Sequence, residues 1–151
     1  MNIKESLVSF ETRKEQAAIS EVKALVERFA KSAEKTSLFK DALALHGIKI
    51  NVEQAVGFSA TRILQIAREQ IAESEHILHD AEQSGDFRHA KQAVAEILVY
   101  MSNQKQILSA CLGQLEVLHD TLEDIYGTEA KRAWKEAETS QTTRAVVYVN
   151  S

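Results

Sequence analysis

Between Asp86 and Tyr126 apolar side chains return every three or four residues, and this rhythm restricts the chain to a helical fold. Val94, Leu98, Met101, Lys105, Leu108, Leu112, Leu115, His119, Leu122 and Tyr126 alternate in spacings of four and three. That is a heptad seam of period 3.5, interrupted only by Lys105 and His119. A helix of about 41 residues is predicted here, roughly 60 Å long at the usual rise. Ile97, Cys111, Leu118 and Ile125 run beside the seam and widen it. A stripe of that width needs more than one helix to cover it.

The rest of the chain supplies such helices. Ile3, Leu7 and Phe10 begin a stripe that Ala18, Val22, Leu25, Phe29, Ser32, Thr36, Phe39 and Leu43 continue. The first helix is therefore expected over 3–46, with Lys35-Thr36-Ser37 its weakest point because Thr and Ser there could cap a new helix. Gly47 suits the left-handed position that follows a helix, with Ile48 folding back as its hydrophobic partner. Asn51 and Gln54 have the spacing of a capping box, so a second helix is expected over 52–83. Ala60, Ala67, Ser74 and Ala81 repeat every seven residues along it and permit close approach of a neighbouring helix. Gly85 and Asp86 end that helix and cap the next, a link short enough for an antiparallel hairpin.

Beyond the long helix, Gly127 and Thr128 suggest a stop and a short fourth helix to about Thr139, carrying Trp134. Ala145-Val146-Val147-Tyr148-Val149 then has strand propensity without helical periodicity. An extended segment over 144–150 is expected to pair with residues 48–50, with a second subunit's tail, or with a partner's sheet edge by strand addition. The expected architecture is all-α: an elongated bundle of three long antiparallel helices over 1–139 with a short fourth helix, followed by an extended, β-prone tail over 140–151.

With 151 residues, no proline and five glycines, the chain suits one helical domain able to bury a core without disulfides or metals. Cys111 is the single cysteine and is expected to be a buried, reduced thiol acting as a small hydrophobe. A formal charge of −4 disfavours a general nucleic-acid surface. The most basic element is the first helix, through Arg13, Lys14, Lys23, Arg28, Lys31 and Lys35, but acidic residues interleave with them. No stretch approaches the ~20 apolar residues of a membrane span, and the N-terminus lacks a signal-peptide pattern. A cytoplasmic protein, or one assembled from the cytoplasm into a larger particle, is expected.

One constellation carries potential chemistry. Glu73 with His76, and Glu116 with His119, are Glu-x-x-His motifs of the kind that dimetal carboxylate bundles use in pairs. In an antiparallel hairpin about Gly85, however, His76 lies level with Val94, and His119 is ~37 Å further along. The motifs cannot then converge on one site within a chain. His119 is better read as a polar seam residue that sets register or oligomer state, and Lys105 as a lysine that snorkels out of its interface or limits oligomer state. No catalytic set and no cofactor motif is present. The functional expectation is a non-enzymatic protein-protein interaction or assembly protein, such as a structural subunit, adaptor, chaperone or inhibitor. It is expected to self-associate, by default as a dimer, with Val146, Val147, Tyr148, Val149, Lys105 and His119 as candidate interaction residues. The alternatives are a dimetal four-helix-bundle protein and a nucleic-acid-associated regulator acting through the first helix.

Overall fold

The computed structural model describes the backbone of residues 3–150 and the side chains of residues 13–128 and of Lys135. Four helices follow one another: α1 (Ile3–Ala44), α2 (Val52–Val56), α3 (Ala60–Ser84) and α4 (Phe87–Asn150). Helices cover 90% of the chain, with no strand among the described residues, so the all-α expectation holds.

Local chemistry sets most of the boundaries. At the end of α1, the Ile48 amide donates to the Leu43 carbonyl at 3.1 Å and the Gly47 amide to that of Ala44 at 3.0 Å. With Gly47 at φ 78°, this is the Schellman arrangement expected there, and it satisfies two carbonyls that α1 leaves open. Asn51 accepts from the Gln54 amide at 3.0 Å and caps α2. At the next link, Gly85 is left-handed, and Asp86 accepts from the Arg88 amide at 3.0 Å to cap α4.

Three expectations are corrected. The second helix does not run unbroken over 52–83. It stops after five residues at Gly57, φ 82°, and restarts with Ser59 accepting from the Arg62 amide at 3.3 Å. The signal was present in Gly57-Phe58-Ser59, a left-handed stop followed by an N-cap residue. At the far end, the irregularity expected at Gly127 lies at Tyr126 (φ −120°, ψ 15°), and α4 then continues helical. Finally, the backbone is helical through Asn150 where an extended segment over 144–150 was expected. A helix pairs its backbone groups within the segment, whereas a strand needs an edge to pair with. The side chains of Ile3, Leu7, Phe10, Trp134 and Val146–Val149 lie outside the described residues. At Thr36, no break occurs. Its hydroxyl donates to the Ser32 carbonyl at 2.9 Å, which lets a polar side chain be buried within a continuous α1.

The chain divides into two compact units, one from Met1–Ala30 with Ser59–Leu112 and one from Lys31–Phe58 with Gly113–Ser151. In the first, α1, α3 and α4 pack together. Lys23 meets Glu75 at 2.8 Å and Gln16 meets Glu82 at 3.4 Å, so numbering rises on α1 as it falls on α3 and the two are antiparallel. At the α3–α4 link, Ala81, Ala90 and Ala93 form a small-residue core with Ile77 and Phe87 against it. Three of the four heptad-row residues of α3 face inward as expected, with Ala67, Ser74 and Ala81 each fully buried, while Ala60 at the helix start is half-buried. Ile19, Val22, Phe29, Ile97, Met101 and Leu108 fill much of the remainder.

The Ser74 hydroxyl has no hydrogen-bond partner in that row. A buried, unsatisfied hydroxyl carries its desolvation cost with no return, so Ser74→Ala is expected to raise stability by about 1 kcal/mol. A rise in the urea midpoint at unchanged slope would show this, and a clear fall would contradict it.

Among the described residues of the second unit, the buried ones are Thr36, Ala42, Leu43, Leu115, His119 and Leu122. Leu43 and Leu115 have no exposed surface at all.

Candidate functional site

The buried side of α4 is not the single seam its sequence suggests. Ala90, Val94, Ile97, Met101, Gln104 and Leu108 are buried in succession, then Leu112, Leu115, His119 and Leu122. Leu98 is only half-buried and Lys105 is exposed. The spacing from Gln104 through Leu108 to Leu112 is four and four. Two heptad seams therefore meet at a stutter, the insertion that relaxes a coiled-coil register. The stutter ends at Leu112, where the two compact units divide. Gln104, which the sequence reading passed over, holds the buried position at the turn where Lys105 was expected. Lys105 instead extends to Glu21 on α1 at 2.6 Å, and both side chains keep about half their surface. That agrees with a snorkelling lysine, and an exposed pair of this kind is worth at most about 1 kcal/mol.

One stretch of the solvent-facing side of α4, in its later turns within the first unit, is unusual for what it lacks. Val99, Ser102, Asn103, Gln106, Ile107, Ser109 and Ala110 are all exposed, and none carries a charge. Val99 is 58% exposed and Ile107 43%. The outer faces of the other two helices are different. That of α3 carries Arg62, Arg68, Glu69, Glu73, Glu75 and Asp80, and that of α1 carries Arg13, Lys14, Glu21, Lys23, Glu27 and Arg28, all exposed. The outer side of α4 in this unit does carry charge, at Arg88, Lys91 and Glu96 nearer its start and at Lys105, so the uncharged surface is the local stretch of Val99, Ser102, Asn103, Gln106, Ile107 and Ala110. Burying charge is costly, and the cores of protein interfaces are depleted of it, so the uncharged stretch is the one suited to being covered.

The Glu-x-x-His motifs fall one in each unit. Glu73 and His76 are exposed on α3, and His76 Nε2 approaches Asp80 at 3.4 Å with 70% of its side chain in solvent. Glu73→Ala and His76→Ala are each expected to change stability by less than about 0.5 kcal/mol, as exposed surface substitutions do. A loss of several kcal/mol in chemical unfolding would give these residues a structural role that their exposure does not suggest.

His119 differs. It is 7% exposed, its ring meets Phe39 edge-on at a centroid distance of 5.2 Å, and Nδ1 lies 3.6 Å from Glu123 Oε2 and 3.8 Å from Asp120 Oδ1. Its neighbours are thus Glu123 and Asp120, one turn on and one residue on, and its motif partner Glu116 is exposed. His119 is a buried polar residue of this unit, its ring packed against Phe39.

Two further groups bear on chemistry. The Tyr100 hydroxyl donates to Glu96 Oε1 at 2.8 Å, and this hydrogen bond with the Glu96 charge holds the phenol proton above its ordinary range. Burial pushes the half-buried Cys111 thiol up, which keeps it protonated near neutrality and a poor nucleophile. A shallow cleft of about 240 Å³ between α3 and α4, lined by Ile77, Asp80, His89, Gln92, Ala93 and Glu96, falls below the ~300–1,000 Å³ of ordinary ligand pockets. Among the described residues, no helix is long and apolar enough to cross a membrane.

No family model, curated protein or solved structure matches this chain. The fold and its faces place it in the broad class of all-α helical proteins, and functional inference rests on its own residues.

Proposed function

We propose that this chain is a non-enzymatic helical assembly protein that pairs with a second copy of itself through the outer face of α4. The observation that carries the reading is the cluster of exposed, uncharged residues Val99, Ser102, Asn103, Gln106, Ile107 and Ala110 on α4, bounded by Glu96 and Lys105, beside two strongly charged faces of the same unit. A twofold interface brings a patch against its own copy, so any charge near the axis would meet a like charge. This cluster has none. Asn103 and Gln106 can each donate and accept, so two copies can satisfy one another's amides while Val99 and Ile107 bury apolar surface. Asn at such a position is also a recognised means of fixing register between helices.

Light scattering over a concentration series tests this. A dimer is expected at high micromolar concentration, and Ile107→Glu should shift it to monomer without loss of helical circular dichroism, because residue 107 is exposed within one chain. A wild-type chain that stays strictly monomeric throughout would remove the reading. So would a dimer that Ile107→Glu leaves intact.

A further inference from the structure

Of the polar groups that the proposed assembly leaves unused, His119 and its two acidic neighbours have the arrangement of a ligand set. We propose that His119, Asp120 and Glu123 bind one divalent transition cation of the zinc class. Their donor atoms all lie within 4.8 Å of one another, the one group of three such donors among the described residues. His119 Nδ1 stands 3.6 Å from Glu123 Oε2 and 3.8 Å from Asp120 Oδ1. Both separations are too long for hydrogen bonds. They are close to what a shared ion requires, because zinc bonds of ~2.0–2.2 Å in a tetrahedron put neighbouring ligand atoms about 3.4 Å apart.

The histidine is what lifts this above a chance pair of surface carboxylates. Its side chain is 9% exposed, its Nδ1 faces both acids, and the Phe39 ring against it holds the imidazole plane. A ligand fixed before binding loses little freedom when the ion arrives. Asp120 and Glu123 remain exposed, with 79% and 53% of their side chains in solvent, so an ion can reach them and small rotamer changes close the remaining gap. Two carboxylates balance the charge of a divalent ion, and imidazole suits zinc, nickel and copper over calcium or magnesium. Three protein ligands leave a fourth position open to water or to a donor from another molecule. This set is not the Glu-x-x-His pairing: Glu116 has no part in it.

The test is zinc chloride titrated calorimetrically into the full chain after chelator treatment, with cobalt absorption as a second readout. One ion per chain is expected. Asp120→Asn and Glu123→Gln should each weaken binding at least tenfold, and both are exposed substitutions that leave the fold in place, checked by circular dichroism. His119→Asn should abolish binding, but its burial makes the acidic variants the deciding ones. Absence of saturable binding by the wild-type chain overturns the proposal. So does binding that the Asp120→Asn/Glu123→Gln double variant changes less than threefold, since the ion would then sit on another histidine such as His76 beside Asp80.

Discussion

Leu115→Ala is expected to lower the stability of the folded chain by about 2–5 kcal/mol. Leu115 is fully buried, and among the described residues of its unit few other side chains share that core. Truncation removes transfer free energy and leaves a void that rigid helices collapse into only partly. The helical propensity of alanine returns only a few tenths of that cost. Val117, two residues away and 66% exposed, supplies the control, since Val117→Ala should stay within about 0.5 kcal/mol. Urea unfolding followed by far-UV circular dichroism compares them directly. Equal effects from the two substitutions would mean that Leu115 is not inside a packed core.

The first unit has its own decisive residue in Phe29, also without exposed surface. Phe29→Ala is expected to cost about 3–5 kcal/mol, the upper range for single truncations. The aromatic ring supplies more buried area than any aliphatic neighbour in the stripe of α1. Amide hydrogen exchange locates the damage as well as sizing it. Protection should fall in α3 as well as around residue 29, because α3 is packed on α1 in this unit. A loss of protection confined to the turn around Phe29 would show that the ring is not shared between helices.

How much of this was legible beforehand depended on the kind of interaction involved. The turn at Gly47 and Ile48, the Asn51 cap and the Gly85-Asp86 link were all readable, since each satisfies backbone groups with residues adjacent in sequence. The small row Ala67, Ser74 and Ala81 was readable because seven-residue spacing keeps side chains on one helical face. The break at Gly57 was missed because the apparent capping box at Asn51 offered an equally good start eight residues earlier. The tail over 144–150 was misjudged because strand propensity reports how a side chain fits a sheet, and no strand lies among the described residues to receive it.

The candidate sites show the same division. The sequence marked His119 as a polar residue in an apolar seam, but it offered Glu116 as the partner by motif spacing. Packing against Phe39 turns the ring toward Glu123 and Asp120 instead. Residues 39 and 119 are distant in the chain, so no local pattern could have paired them. The sequence alone determined that this is a helical protein, where most of its helices start and stop, and which residues could lie inside. Those outcomes follow from hydrogen bonds and periodicity within a segment. Only the tertiary structure decided that Ile97 and Gln104, rather than Leu98 and Lys105, face the core, and that Val99, Asn103, Gln106 and Ile107 of α4 are left open. Neighbouring positions on a helix offer nearly equal apolar stripes, and burial is a relation between helices that no single helix contains.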